Sequence, residues 1–125
     1  MNIADLLGDQ QRVPPALFPI EVPVFADSVK AGMKATWLGH ATVYIEMDGK
    51  RILTDPILSD LAFPVKLIAP KRYNPPPVTV EILPSIDIVT ISHDHFDHLD
   101  MKTVKILAAS GSQFYVGIGI KAHLI

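Results

Sequence analysis

The dipeptide Asp48-Gly49 lies between two short strand-like runs, and this arrangement constrains the fold more than any other feature of the chain. Residues 43–47 and 51–54 alternate in the manner of strands that bury one face. An Asp-Gly pair tolerates the positive φ angles that a tight hairpin turn requires. The sequence therefore predicts an antiparallel hairpin here, preceded by a further strand at residues 35–38.

A second pattern, later in the chain, places a helix between two strands. Residues 86–91 and 113–116 are strand-like, Asp100 is expected to cap a helix that begins at the next residue, and Gly111 is expected to end it. The apolar face of this helix is predicted to consist of Met101, Val104, Leu107 and Ala108. Because a helix that joins neighbouring strands in this way forms a βαβ unit, part of the sheet should be parallel. The two patterns together predict an α/β fold with a mixed sheet.

The nine residues directly after the strand at 86–91 read SHDHFDHLD and contain three imidazoles and three carboxylates. Imidazole nitrogens suit zinc, and carboxylates also suit iron or manganese. Alternate side chains of an extended segment point the same way, so His93 and His95 can reach one ion together. Asp97 and His98 follow a turn of the chain and can reach a second ion. Two ions about 3.5–4 Å apart would activate a shared water and hold the oxygens of an ester or phosphate, so the string indicates hydrolysis.

Solvation in a loop or helix capping is the alternative explanation for such residues. We assign capping to Asp100, whose carboxylate can accept hydrogen bonds from the free N–H groups of the first helical turn. We predict a metal-binding role for His93, His95, Asp97 and His98. Asp94 alternates away from the paired histidines, and a role as a water ligand or general base is open to it.

Four segments of the chain carry a family resemblance. They are the string at 92–100, TWLGHAT at 36–42, LTDPILS at 53–59 and PKRYNPPP at 70–77. In this order and spacing they resemble the metallo-β-lactamase superfamily, in the branch that includes N-acyl phosphatidylethanolamine phospholipase D and its bacterial relatives. The resemblance runs from Lys34 to the end of the chain.

The resemblance implies a fold and a set of roles. The fold would be an αββα sandwich with a mixed sheet, and this chain would hold its N-terminal half. His93 and His95 would bind the first metal, Asp97 and His98 the second, with Asp94 beside the reactive water and His40 and Asp55 close to the site. Complete members supply a further histidine, a bridging aspartate and a last histidine downstream. Of these residue types only His123 follows the string here, and we interpret it as part of a helix-start or packing segment.

The function expected from the resemblance is that of a metal-dependent hydrolase, a phospholipase D-type phosphodiesterase acting on N-acyl phosphatidylethanolamine-like lipids. Two zinc ions are expected in the complete protein, with iron or manganese as alternatives. With two ligands visible per ion, the chain alone should bind metal weakly and be weakly active or inactive. The alternatives are a non-catalytic metal-binding or assembly module from a truncated gene, or a lactonase or nuclease of the same superfamily.

Composition and charge narrow the partners and the compartment. The net charge of −2 does not favour nucleic acid, and the absence of cysteine excludes disulfides and thiolate metal sites. The N-terminus lacks the basic and apolar segments of a secretory signal, so the expected location is the cytoplasm, with association with a membrane as a further option. A half-fold would leave a sheet face or strand edge unpartnered, which favours a homo-oligomer or a complementing chain.

Two segments are rich in proline. Residues 1–33 are predicted to form an extended lead-in across the surface, or else a flexible leader, and residues 34–125 the incomplete domain. In the long loop between Asp60 and Pro84, residues 61–73 mix apolar with basic side chains. This stretch could make peripheral contact with an anionic membrane surface, or it could cover the hydrophobic core.

Overall fold

Five strands form one mixed sheet in the computed structural model, which describes residues 16–59 and 72–124. The strands are β1 (Met33–Gly39), β2 (Thr42–Met47), β3 (Lys50–Thr54), β4 (Ile88–Ile91) and β5 (Gln113–Val116), and they lie in that order across the sheet. One α-helix, α1 (Met101–Ala109), and two short 3₁₀ helices, Val80–Ile82 and Ile120–His123, complete the regular structure of the described residues.

The antiparallel half of the sheet follows from the predicted hairpin. Strands β2 and β3 pair from Val43↔Thr54 to Met47↔Lys50, with Asp48 (φ 45°) and Gly49 (φ 84°) in the turn. Positive φ at both central residues matches the twist of the flanking strands. The Asp48 carboxylate also accepts a hydrogen bond from the Gly32 N–H at 3.1 Å, which fixes the turn against the start of β1. The hairpin prediction is confirmed.

The parallel half follows from the predicted βαβ unit. Strand β3 pairs parallel with β4, and β4 pairs parallel with β5, with α1 in the connection between the last two. Side chains of this helix pack onto one face of the sheet and close the core. The main members of this core are Leu38, Tyr44, Leu53, Val89, Ile91, Val104 and Leu107.

The helix begins where the sequence predicted, but its buried face differs. Asp100 caps α1, because its Oδ1 accepts hydrogen bonds from the N–H groups of Lys102 and Thr103 at 3.1 and 3.4 Å. Thr103 is buried, whereas Met101 and Ala108 are exposed, so the predicted face was wrong at these two positions. The cause is the Thr103 hydroxyl, which donates to Asp100 Oδ2 at 2.7 Å and can therefore be buried without an unsatisfied polar group.

The opposite face of the sheet remains partly exposed among the described residues. Met33 and Trp37 of β1, Met47 of β2 and Tyr115 of β5 all lie on this side and are exposed. The row of paired residues runs from Trp37 through Val43, Thr54 and Thr90 to Tyr115, so the four exposed side chains share one face of the sheet, and together we call them the apolar surface.

The chain before β1 is extended and is tied to the sheet at several points. The Phe25 ring packs edge-on against Tyr44, with 5.0 Å between ring centroids. The Arg51 guanidinium donates hydrogen bonds to the carbonyl oxygens of Ala26 and Asp27 at 3.1 and 2.9 Å. The described part of the predicted lead-in therefore lies on the protein surface. Residues 1–15, and residues 61–71 of the predicted membrane-contact segment, lie outside the described residues.

Candidate metal centre

Strands β1, β3 and β4 end at the same edge of the sheet, and the polar residues that follow them meet there. His40 follows β1, Asp55 follows β3, and the string that begins at Ser92 follows β4. His40 (φ 49°) and Asp55 (φ 35°) both have positive φ, which is unfavourable for residues with a side chain. Strain of this kind persists where surrounding contacts hold it, and such positions cluster at functional sites.

Thr42 supplies the contacts that hold the backbone at Asp55. Its fully buried hydroxyl donates to the Asp55 carbonyl oxygen at 2.7 Å and accepts from the Ile57 N–H at 3.0 Å. The Asp55 N–H in turn donates to the Thr90 carbonyl of β4 at 2.8 Å. The turn after β3 is therefore fixed to both neighbouring strands, and the direction of the Asp55 side chain is set by the fold.

The Asp55 carboxylate connects the string to β3. Its Oδ1 accepts from the Ser92 N–H at 2.7 Å, and its Oδ2 accepts from the Ser92 hydroxyl at 2.8 Å and from His98 Nδ1 at 2.9 Å. Burial alone would raise the pKa of this carboxyl, but the hydrogen bonds from His98 and Ser92 outweigh it and lower the pKa below its usual value. Asp55 is therefore a charged acceptor at neutral pH.

This network assigns the tautomers of two histidines. The single hydroxyl proton of Ser92 is donated to Asp55, so His93 Nδ1, 2.8 Å from Ser92 Oγ, must be the donor in that contact. His98 Nδ1 likewise carries the proton that it donates to Asp55. Both rings therefore keep the lone pair on Nε2, which is the atom available to a metal ion.

The other histidines and acids of the string extend the group. The His93 ring lies 4.5 Å from the His95 ring and 4.0 Å from the His98 ring, measured between centroids. Asp97 Oδ2 lies 3.1 Å from His40 Nε2 and 3.7 Å from His98 Nε2. His40, Asp97 and His98 thus present ligand atoms that all lie within 4.8 Å of one another.

The electrostatic environment keeps Asp97 ionised. Its partial burial raises the pKa, while its own backbone N–H and the nearby His98 and His40 lower it, and the net effect is a pKa below the usual value. An ionised carboxylate between two imidazoles is a donor set that suits zinc as well as harder divalent ions. The residues present therefore fit a metal ion.

Asp94 is not one of the three residues of this group, and its carboxylate instead faces His123. Its Oδ2 is 3.5 Å from His123 Nε2, and both side chains are about half exposed. Asp94 also borders a cavity of about 360 Å³ together with Ser92, His93 and the turn at residues 117–120. His123 itself belongs to the last 3₁₀ helix, which is anchored by the buried Ile120, in agreement with a packing segment.

Sequence reasoning missed two contributors to this site. Ser92, the first residue of the string, was given no role by the sequence, yet its hydroxyl connects Asp55 to His93. Trp37 donates its indole N–H to the His40 carbonyl oxygen at 2.8 Å and so fixes the bend that carries His40. Two sequence signals pointed to these residues. Ser92 directly precedes the first histidine of the string, and Trp37 lies three residues before His40, which follows Gly39 in a bend. Neither signal is specific without the structure.

A larger cavity of about 740 Å³ opens beside His40 and Asp97. Its other walls are mostly apolar and include Phe18, Trp37 and Ile57. The volume lies within the range of small-molecule sites, which is about 300–1,000 Å³. An apolar cavity with imidazole and carboxylate groups at one end can hold an amphiphilic ligand with its polar group near the candidate metal centre.

Several known proteins are similar to this chain in sequence. An uncharacterized protein of Mycobacterium tuberculosis is 42% identical over 112 residues, which cover 89% of this chain and 30% of that protein. The N-acyl-phosphatidylethanolamine-hydrolyzing phospholipase D 1 of Caenorhabditis elegans is 44% identical over 94 residues, 74% of this chain and 26% of that protein. A UPF0173 metal-dependent hydrolase of Metallosphaera sedula is 30% identical over 90 residues, 71% of this chain and 34% of that protein.

The chain thus spans between about a quarter and a third of the length of these relatives. Within the described residues, no helix is both long and apolar enough to cross a membrane. Residues 34–124 match the model of a family described as the beta-lactamase superfamily domain. With its mixed sheet and the histidine string at the end of β4, the chain belongs to the beta-lactamase superfamily, as the N-terminal part of a metallo-β-lactamase-like α/β fold.

Proposed function

We propose that this chain carries the first metal-binding cluster of a metal-dependent hydrolase of the phosphodiesterase type, with N-acyl phosphatidylethanolamine-like lipids as substrates. The observation that carries the proposal is the hydrogen-bond network of Asp55, which orients the Nε2 atoms of His93 and His98 for metal binding. Imidazoles of solvated loop residues exchange tautomers freely, whereas this network fixes the protonated nitrogen of each ring.

In this proposal His93 and His95 bind one ion, and Asp97 and His98 bind a second. Zinc is the metal proposed, and iron or manganese also fits the carboxylate. Metal ions in such sites act as Lewis acids that polarise a phosphoryl oxygen and make water more acidic. Asp55 orients the His98 imidazole directly and the His93 imidazole through Ser92. His40 holds the Asp97 carboxylate in place.

Asp94 is proposed as the catalytic carboxylate. It is exposed, so it can accept a proton from water at Oδ2, and His123 lies 3.5 Å from that oxygen. A carboxylate that accepts a proton in this position would act as a general base. The adjoining imidazole would stabilise the charged form of Asp94 between turnovers.

The substrate class rests on two observations. The relative from Caenorhabditis elegans is named as an enzyme that hydrolyses N-acyl phosphatidylethanolamine, and the cavity beside His40 and Asp97 has mostly apolar walls. A lipid substrate would place its phosphodiester at the polar end of this cavity and an acyl chain along the apolar walls. Peripheral contact with a membrane through residues 61–73, and assembly with a second chain, remain parts of this proposal.

Metal content tests the proposal directly. We expect the purified chain, after gel filtration and mass measurement, to retain zinc above the level of the His93→Ala/His95→Ala double variant. The matched control is His123→Ala, which removes a histidine outside the proposed ligand set and should keep the metal content of the wild type. Equal metal content in the wild type and the double variant would overturn the proposal.

Hydrolysis is then measured on vesicles that contain N-acyl phosphatidylethanolamine. Turnover that falls in Asp94→Asn, with metal content unchanged, would support the proposed general base. Metal retention without turnover of this lipid, a lactone or a nucleic acid would indicate a metal-binding module instead of an enzyme.

A further inference from the structure

A short extended segment before the sheet is attached to the rest of the chain by one side chain. We name residues 16–22 the N-terminal strap. The Asn74 carboxamide accepts a hydrogen bond from the Phe18 N–H through Oδ1 at 3.3 Å and donates from Nδ2 to the Phe18 carbonyl oxygen at 2.8 Å. Asn74 thus satisfies both polar backbone groups of one strap residue, as a neighbouring strand would.

Burial of apolar surface contributes little to the attachment of the strap. All of its residues are exposed, including the large apolar side chains of Phe18 (62%) and Ile20 (40%). Little apolar surface is therefore removed from water where the strap lies, and hydrophobic burial stabilises its position only slightly. Pro19 has no N–H and cannot add a backbone donor to a strand ladder. The two hydrogen bonds of Asn74 are consequently the main specific attachment among the described contacts of the strap.

The strap forms a wall of the cavity of about 740 Å³ beside the candidate metal centre. Phe18 and Ile20 line the cavity from the strap, Trp37 lines it from the sheet, and His40 and Asp97 lie at the polar end. If the strap moved away, the cavity would lose an apolar wall while the histidine string stayed in place. The position of the strap therefore determines the shape of the cavity but not the geometry of the metal ligands.

We propose that Asn74 is a positioning residue, which fixes the strap as a wall of this cavity and thereby sets the affinity of the cavity for an acyl chain. The identity of the ligand rests on the proposed lipid substrate. The role of Asn74 in shaping the cavity rests on the hydrogen bonds and the wall alone, and it can be tested without metal.

Trp37 provides the readout, because it is the only tryptophan of the chain and it lines the cavity. The probe is N-octanoylethanolamine, a neutral single-chain amide, titrated into chelator-treated protein below its aggregation concentration. We expect a saturable change in tryptophan emission for the wild type. For Asn74→Ala we expect an affinity about tenfold lower, as the loss of two ordinary hydrogen bonds that preorganise the wall would give.

Two further variants keep the test specific. Asn74→Asp has nearly the same shape but cannot donate to the Phe18 carbonyl, so its affinity should also fall. Gln113→Ala removes an exposed amide on β5 and should bind like the wild type. Unfolding temperatures and metal content are measured for all variants, and we expect both to be unchanged, because Asn74 lies outside the hydrophobic core and the histidine string.

Proteolysis gives a second, independent readout. A glutamate-specific protease can cut at three glutamates, of which Glu21 lies in the strap, Glu81 is exposed elsewhere and Glu46 is buried. In Asn74→Ala we expect faster cleavage after Glu21 and unchanged cleavage after Glu81. Such cleavage together with the weaker probe affinity would support the proposal.

An equal affinity in the wild type and Asn74→Ala, or an equal rate of cleavage after Glu21, would overturn the proposal. So would the absence of saturable probe binding to the wild type. Failure of the proposed hydrolase function would appear differently, as normal probe binding and normal strap protection in a chain that retains no zinc.

Discussion

Replacement of Asp55 by asparagine should change the tautomer of His98. The asparagine oxygen can still accept from the Ser92 N–H, but its amide nitrogen then occupies the position of Oδ2, which accepts from His98 Nδ1 in the wild type. An amide nitrogen is only a donor, so His98 Nδ1 must become an acceptor and the ring proton must move to Nε2. The lone pair that would bind metal is lost from that atom.

The expected loss of zinc affinity follows from the contact between Asp55 and a proposed metal ligand. Loss of a carboxylate that orients a metal-binding imidazole lowers metal affinity about 10- to 100-fold. This factor corresponds to about 1.4–2.7 kcal/mol of binding free energy. The fold itself should remain, because asparagine matches aspartate in size and Thr42 still holds the backbone of the turn.

Two measurements test this prediction. Nitrogen-15 NMR of the metal-free protein identifies which ring nitrogen of His98 is protonated, and we expect Nδ1 in the wild type and Nε2 in Asp55→Asn. Competition with a chromophoric chelator then gives the zinc affinity, with the exposed Asp27→Asn as the control. A His98 ring protonated at the same nitrogen in both proteins, or zinc affinities within twofold, would refute the reasoning.

Two other predictions concern the helix cap and the bend after β1. Asp100→Ala should lower the free energy of unfolding by about 3 kcal/mol. About 1 kcal/mol of this is the lost helix cap, and the remainder arises because the partly buried Ser59 N–H and the buried Thr103 hydroxyl lose their acceptors. Burial raises the pKa of Asp100, but the hydrogen bonds from Ser59 and Thr103 lower it below its usual value. Because the folded-state pKa lies below that of the unfolded chain, this stabilisation is complete above about pH 4 and is lost as pH falls through the folded pKa. Urea titrations at pH 3 to 7 measure the free energy of unfolding of the wild type and of Asp100→Asn. If both proteins lose the same stability as the pH falls, this assignment is wrong. His40→Ala should lower zinc affinity about tenfold, because the Asp97 carboxylate loses the imidazole that holds it. His123→Ala should leave zinc affinity unchanged, and equal affinities of the two variants would refute the role of His40.

The sequence predicted the sheet well because its signals are local. The hairpin turn at Asp48-Gly49 and the cap at Asp100 each depend on a few neighbouring residues, and both appear where the sequence placed them. The parallel pairing of β4 and β5 followed from the helix between them. The apolar face of that helix was less accurate, since a periodic pattern cannot show that the Thr103 hydroxyl finds a buried acceptor.

The sequence named residues that the structure brings close together, but it did not give the contacts between them. The string at 92–100 indicated metal chemistry by itself, and family resemblance brought His40 and Asp55 near it. The contact between His40 and Asp97 joins residues 57 positions apart, and the bond between Asp55 and Ser92 spans 37. Such contacts depend on which strand ends share an edge, and single-sequence patterns do not give side-chain distances across that edge.

The apolar surface formed by Met33, Trp37, Met47 and Tyr115 has a calorimetric consequence. These side chains are already hydrated in the folded chain, so unfolding transfers less new apolar area into water than it does for a protein with both sheet faces covered. The heat capacity of unfolding should then fall below the usual value of about 12–15 cal/mol/K per residue. A smaller heat capacity change flattens the stability curve, so the chain should lose little stability on cooling and respond weakly to urea.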